Sequence, residues 1–425
     1  MDKQILAALE ITDGNIRLIV GEFFNTRLNI IKVIERFSSG IVNSMIVNKE
    51  LVTYDIEKIK EKFKKGIGID IDRIILCIPS KDVTRYPLKI KVDIANENSY
   101  VTIDDINEGI NLAKSAYNDQ QRTLINVVCT KYFCNGIAYR KAPINEKCTE
   151  LIMDVDLLCA DTKFTYDYVS VVEDAGIKVM DIYLDTFAAC KEASLLERSI
   201  KQNILLVKLE RNTTTLTVLT EGHLASSKLM DGGINDFLNE INSKYKLKNE
   251  ITNKLLKYNV NLFAKKLETS PIYLWTYNKN SLSVSEKDIY DTIEVELNRW
   301  IDNFINAAKP VFDLENTNVI IVGEGSELQN LDKLIESKIN LPVSNYIPVT
   351  LGARSGDFVS ALGALYAFKD KTQYDKEKIS SLDIVKYEDI LNKTSIDDVE
   401  ETVTSKLKSI FEKRKEILDN ESVNV

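Results

Sequence analysis

NILLVKLERNTTTLTVLTEGHLASSKLMDGG, residues Asn203 to Gly233, alternates apolar and polar side chains in three short runs separated by two tight turns. Period-two alternation bounded by turn residues predicts an antiparallel meander of three strands, turning at Glu210-Arg211-Asn212 and again at Glu221-Gly222. Gly232-Gly233 then breaks the pattern, and Ile234 to Asn242 continues at helical spacing. The same order occurs once before, near the start of the chain. Ile5 to Ile11 (ILAALEI) reads as a strand, Thr12-Asp13-Gly14 as a turn, Asn15 to Glu22 (NIRLIVGE) as a second strand, Asn25-Thr26 as a turn and Arg27 to Glu35 as a third strand, with Ser39-Gly40 as the break. Two similar α/β halves, each opening with a meander, leave a cleft between them.

The 425 residues, 44% hydrophobic and 28% charged, suffice for two to four domains with a sizeable core. The net charge of -9 is spread along the chain, which argues against a nucleic-acid binder with a basic face. No run reaches the roughly 18 to 20 apolar residues of a spanning helix, and MDKQILAALE lacks the build of a signal peptide. A cytosolic protein is expected. Cys77, Cys129, Cys134, Cys148, Cys159 and Cys190 form no CxxC pair and read as buried thiols. His223, the single histidine, reads as a strand-face residue, so no His-rich metal site is expected.

Residues 1–83 and 161–200 belong to the first half, with residues 84–160 as a small α+β insert between them. In the insert, Thr102-Ile103-Asp104-Asp105 matches a capping box, and Ile103, Ile106, Ile110, Ala113 and Tyr117 follow at helical spacing. Leu124 to Val128 and the alternating Leu151, Met153, Val155 and Leu157 read as strands. Asp161 is an N-cap, Gly176 closes its helix, and Ile177 to Leu184 returns as a strand. The second half covers 201–245 and 302–368, interrupted by a mostly helical subdomain at 246–301. There, the buried strand Asn318 to Val322 runs into Gly323-Glu324-Gly325-Ser326 and a helix from Glu327 to Ile335. Asp357 to Phe368 is a last packed helix, and its Gly363 admits a close neighbour. Residues 369–402 read as a polar linker, disordered or loosely helical, ahead of a terminal helix at 403–418 (VTSKLKSIFEKRKEIL).

Consecutive backbone N–H groups in a strand-turn-strand point into a concavity, and glycine lets an anion approach them. Two such hairpins facing across a cleft grip a nucleotide, and a glycine turn between strand and helix supplies a third wall. Each piece alone is commonly plain connection. All three in this order form the informative pattern.

In this order and spacing the chain resembles the FtsA family, a cell-division branch of the actin superfamily. LAALEITDGNIRLIVGE (Leu6 to Glu22) is similar to its first phosphate motif, and VTIDDINEGINLAKSAY (Val101 to Tyr117) to the helix of its inserted 1C subdomain. INVVCTKYFCNG (Ile125 to Gly136), EDAGIKVMDIYLD (Glu173 to Asp185) and NVIIVGEGSELQNLDKLIE (Asn318 to Glu336) match in order. The resemblance implies an α/β, actin-like two-lobed fold with an FtsA-type 1C insert. In the family's terms, 1–83 and 161–200 are subdomain 1A, 84–160 is 1C, 201–245 and 302–368 are 2A, and 246–301 is 2B.

The departures from the family pattern gather in the cleft. Where the family reads Asp-x-Gly-Gly-Gly-Thr, this chain has Lys208, Leu209, Glu210, Arg211, Asn212 and Thr213. Where Gly-Thr is usual it has Thr12-Asp13, beside Glu10 and Gly14, and the ribose-holding Glu-x-x-Lys becomes Lys254-Leu255-Leu256-Lys257. Only the third wall, with Gly323, Gly325 and Ser326, is largely kept, and Gly232 and Gly233 complete the candidate cleft residues. One close pair of charges is worth about 4 kcal/mol near a surface, against about 8 kcal/mol for a micromolar ligand, so Lys208 and Arg211 could nearly cancel Glu210 and Asp13. Sterics do not cancel, and an ammonium at 208 cannot hold Mg²⁺ as a carboxylate does. Hydrolysis is expected to be absent, with no ATP/Mg or only weakly bound ATP/Mg. In the family geometry position 208 faces position 10, so Lys208 is expected to pair with Glu10 or Asp13.

At about 100° per residue, Val403, Leu407, Ile410, Phe411, Ile417 and Leu418 share an arc of roughly 120°. Lys406, Lys408, Lys413 and Lys415 border it, and Arg414 falls inside it. The family ends in a membrane-targeting helix after a linker, so the resemblance implies attachment to the inner face of the cell membrane at the division site. It also implies that subdomain 2B receives the C-terminal peptide of FtsZ, the tubulin-like division protein. Lys287 and Arg299 are candidate contacts, and Glu296 stands where the family has an arginine. Head-to-tail self-association is expected by analogy. Two rivals remain: an active ATPase or sugar kinase of the same fold, and a PilM-like partner of a pilus or secretion machine.

Overall fold

The computed structural model describes residues 3–390, apart from 26, 96–98 and 374–377. The linker beyond 390 and the candidate membrane residues Lys406, Leu407, Lys408, Ile410, Phe411, Lys413 and Arg414 lie outside the described residues. No helix among the described residues is long and apolar enough to cross a membrane.

The first half opens with β1 (Lys3–Ile11), β2 (Asn15–Phe24) and β3 (Arg27–Phe37), then a short hairpin of β4 (Ile41–Val42) and β5 (Met45–Ile46), α1 (Lys49–Ile67) and β6 (Arg73–Ile78). The insert contributes β7 (Thr84–Asp93), α2 (Ile103–Ser115), β8 (Arg122–Cys134), β9 (Ile137–Tyr139) and β10 (Glu150–Asp161). The chain returns through α3 (Thr162–Asp174), β11 (Lys178–Leu184), α4 (Asp185–Glu192) and α5 (Leu195–Arg198). The second half runs β12 (Asn203–Leu209), β13 (Thr213–Thr220), β14 (His223–Asp231), α6 (Ile234–Tyr245), α7 (Asn249–Asn259), β15 (Pro271–Tyr277), β16 (Asn280–Ser285), α8 (Glu286–Phe312), β17 (Thr317–Val322), α9 (Leu331–Ile339), β18 (Val343–Asn345) and α10 (Val359–Lys371).

The repeat in sequence is a repeat in topology. One five-stranded sheet is ordered β11-β6-β1-β2-β3 and the other β18-β17-β12-β13-β14. In each, the first strand of the meander pairs antiparallel with the second and parallel with a strand reached through a helical crossover. Glu10 and Lys208 therefore sit at the C-terminal ends of the central strands, where a doubly wound sheet leaves its crevice. The insert forms its own four-stranded sheet, β7-β10-β8-β9, over a separate core. Its helix α2 starts at Thr102, which caps Asp105 and is capped by it in return. His223 ties the second half to this insert: its Nδ1 lies 2.6 Å from Asp156 and 3.1 Å from Arg85.

Four elements differ from the sequence expectation. The subdomain at 246–301 carries a hairpin, β15–β16, because Tyr273 and Trp275 turn to the core while Leu274 and Thr276 face outward, and Asn278-Lys279 takes the two positive φ angles of a tight turn. The helix expected from Glu327 starts at Leu331, since 324–327 closes into a single 3-10 turn and Asn330 is left-handed. The last helix packs into the first half: Val359, Leu362 and Leu365 join its core, and a Cβ at Gly363 would sit 1.8 Å from the Ala188 carbonyl oxygen of α4. Finally, 378–390 is not a free linker. Ser381 donates its N–H to Ile5 O, its Oγ accepts from Ala7 N, and residues 384–390 are helical.

Candidate functional site

Three charged residues lie fully inside the buried stretches of these strands: Glu10 on β1, Arg17 on β2 and Lys208 on β12. All three are at most 1% exposed. A buried charge survives only when paired, and the strands supply the pairing, because Glu10 and Arg17 are register partners. Lys208 Nζ lies 2.8 Å from Glu10 Oε1, 2.7 Å from Asp185 Oδ2 and 3.3 Å from Glu210 Oε1. Asp185, at the start of α4, is itself fixed by Ser80, whose N–H and Oγ donate to Oδ1 at 2.8 and 2.6 Å. Arg17 then links the walls: its guanidinium reaches Glu35 at 3.2 Å, Glu210 at 3.1 Å and Asp357 at 3.1 Å, with Glu10 at 3.5 Å.

The two meander turns touch directly. Asn212 donates its backbone N–H to Asp13 Oδ2 and its side-chain amide to Asp13 Oδ1, both at 3.0 Å. Asp13 thus holds the opposite turn and leaves Lys208 to Glu10. Ser44, from the β4–β5 hairpin, closes over this seam by donating its N–H to Asp13 and meeting Thr213 through its hydroxyl. Thr12 closes the first turn by donating its N–H to Asn15 O, and Gly14 carries the φ of +80° that the turn requires.

The backbone groups that would face an anion are engaged within the chain. At the start of α6, Ile234 and Asn235 donate to the carbonyls of Glu210 and Arg211 at 3.0 and 2.7 Å. A Cβ at Gly233 would come within 2.5 Å of those same carbonyl oxygens, and Gly232 N bonds Asn212 O. A Cβ at Gly325 would lie 2.4 Å from Leu209, while Gly323 adopts φ +78° beside Glu210. Ser326 Oγ donates to Gly323 O. These glycines admit the neighbouring turn.

Of the two lysines on α7, Lys257 enters the cluster and Lys254 is exposed away from it. Lys257 lies 3.2 Å from Glu327 and 3.5 Å from both Glu324 and Asp357. Arg211 reaches Glu324 Oε1 at 2.5 Å. Burial alone would lower the Lys208 ammonium, yet Asp185, Glu10 and Glu210 hold it well above the ordinary lysine range. Burial likewise opposes ionisation of Glu210 and Asp357, but Arg17 acting with Lys208 on the first and with Lys257 on the second brings both carboxyls below their usual range. Glu10 is raised by its burial despite Lys208 and Arg17.

The sequence reading missed Arg17, Asp185, Glu35, Glu327 and Asp357. Arg17 had a signal, since an arginine in a strand with both faces apolar must meet carboxylates. The other four are brought in by long-range folding, Glu35 from the outer strand of the first meander and Asp185, Glu327 and Asp357 from the ends of elements. On α8, Lys287 pairs with Asp291 at 2.7 Å, and Arg299 with Glu296, each within its own helix. All six cysteines are free, and all but the half-buried Cys129 are buried. No group of three or more potential ligands among the described residues is arranged to hold a metal ion.

No family model matches the chain. It is 22% identical over 232 residues to the cell division protein FtsA of Bacillus subtilis, a match spanning 55% of this chain and 52%, about half, of that protein. It is 20% identical over 403 residues to cell division protein FtsA of Borreliella burgdorferi, covering 90% of this chain and 95% of that one. Among solved structures it is similar to the PilM-PilN type IV pilus biogenesis complex, with a TM-score of 0.55 at 12% identity over 85% of this chain and 98% of the other. Its paired sheets and inserted subdomain, taken with these matches, make the chain a distant homologue of the proteins named cell division protein FtsA, built on the actin-like fold.

Proposed function

We propose that this chain is an FtsA-like adaptor of cell division that tethers FtsZ filaments to the inner face of the membrane and works without nucleotide hydrolysis. The adaptor reading rests on the near end-to-end match to an FtsA, 90% of this chain against 95% of that protein. Cytoplasmic, peripheral location at the division site, head-to-tail self-association and capture of the FtsZ C-terminal peptide by residues 246–301 follow from the same kinship. Lys287 and Arg299 are exposed on α8 as candidate contacts, with Glu296 partly buried beside Arg299. The nucleotide-free reading rests on Lys208, whose ammonium and three carboxylate partners fill the space between the hairpins. Mg²⁺ and a triphosphate do not fit residues so disposed. A second reading, a partner of a pilus or secretion assembly, is favoured by the likeness to the PilM-PilN complex.

The two readings part at the membrane. Full-length protein is expected to co-sediment with phosphatidylglycerol vesicles and to recruit FtsZ to them, and Phe411→Glu to weaken vesicle binding more than tenfold. That factor follows from losing about 2 kcal/mol of apolar burial and adding a charge that anionic lipid repels. Vesicle binding unchanged by Phe411→Glu, or absent in the unaltered chain, contradicts the adaptor reading.

A further inference from the structure

Carboxylates outnumber cations in the cluster, and one of them is held on one side only. Glu324 is 1% exposed. Its Oε1 receives Arg211 Nη2 at 2.5 Å, Asn253 Nδ2 at 3.2 Å and Lys257 Nζ at 3.5 Å, whereas Oε2 is buried with no hydrogen-bond donor. These contacts come from separate elements: Arg211 from the turn after β12, and Asn253 and Lys257 from α7. The charged groups facing Glu324 are completed by Glu327 in its own turn, Asp357 from the turn before α10 and Arg17 from β2.

We propose that Glu324 is a proton-operated joint that sets how the subdomain of α7, β15, β16 and α8 packs against the second sheet. An ionised Glu324 leaves a buried anionic oxygen unpaired beside Asp357, an arrangement of high cost. A proton removes that charge while Oε1 keeps its three donors. Burial, reinforced by Asp357, raises this carboxyl to about 7 from an ordinary 4.5, against the pull of Arg211, Lys257 and Arg17. The folded chain therefore retains a proton between about pH 4.5 and 7 that the unfolded chain releases. The associated stability is complete below that window and is lost as pH rises through about 7. The joint tightens in mild acid and loosens in mild base.

The chain's two tryptophans, Trp275 on β15 and Trp300 on α8, both lie in this subdomain. Trp300 donates to Thr214 Oγ1 of the sheet at 2.9 Å, so its emission reports the packing at issue. Titrating the full-length protein from pH 5.5 to 8.5 should give a sigmoidal emission change centred near 7, abolished in Glu324→Gln. Glu192→Gln should leave it intact, although the Glu192 carboxyl is also raised to about 7, because Glu192 lies between α4 and Tyr346. Emission that does not change with pH in the unaltered protein, or that titrates equally in Glu324→Gln, overturns the proposal. Should Glu324→Gln fail to fold by circular dichroism, hydrogen exchange in the unaltered chain decides. After correction for intrinsic rates, amides 249–259 should exchange faster at pH 8 than at pH 6 by on the order of tenfold, the factor carried by a one-unit offset. Equal protection at the two pH values contradicts the joint.

Discussion

Lys208→Met is expected to cost about 3–5 kcal/mol of stability, the range for removing one member of a buried ion pair. The lysine is 1% exposed and is the shared cation of Glu10, Asp185 and Glu210. Without it, three carboxylates from both halves crowd a space closed to water; Glu10 and Asp185 lose their nearest counter-charge, and Glu210 keeps only Arg17. For a chain of this size, such a loss lowers the melting temperature by roughly 5 °C. Adding Glu10→Gln to the variant should recover part of the loss, because it removes one stranded charge and leaves an amide of the same shape. Denaturant unfolding of the single and double variants checks this. A single variant within 1 kcal/mol of the parent would mean that the pair carries little of the closure.

Arg17→Met should cost a similar amount, about 3–5 kcal/mol, and should leave a signature in pH. Arg17 is fully buried and holds Glu210 and Asp357 of the second half against Glu10 and Glu35 of the first. It keeps the Glu210 and Asp357 carboxyls below their usual range, so in the parent they add stability at neutral pH that is lost as acid protonates them. In the variant, burial dominates, both carboxyls rise, and protonation becomes favourable to the folded state. The gap in melting temperature between parent and variant should therefore narrow as pH falls from about 7.5 to about 5. A gap constant across that range would show that Arg17 acts by packing alone.

Much of the architecture is legible locally. The two meanders announce themselves by period-two alternation and turn residues, and the Thr102 capping box places α2 to the residue. Lys208 facing Glu10 was readable once the repeat was aligned with a family of known geometry. What escaped is long-range. Nothing around Asp185 says that β6 will deliver Ser80 to it, and nothing in GDF at 356–358 says that it will meet Arg17 from the first strand pair. The β15–β16 hairpin escapes because its second strand is short and polar, with Ser281 and Ser283 where a core strand would be apolar, and gives the apolar β15 no visible partner. Helix α10 reads as amphipathic nowhere along its length, and only its contacts reveal which half it serves. Positions whose role is to satisfy a distant buried charge look, in sequence, like ordinary caps and turns.

We propose one cause for these observations: the protein's own ionic side chains occupy the place between the halves that a ligand would otherwise fill. Isothermal titration calorimetry of the full-length protein with Mg-ATP tests that claim most directly. The account predicts no saturable heat at micromolar to low millimolar nucleotide, and binding near one equivalent with micromolar affinity would contradict it.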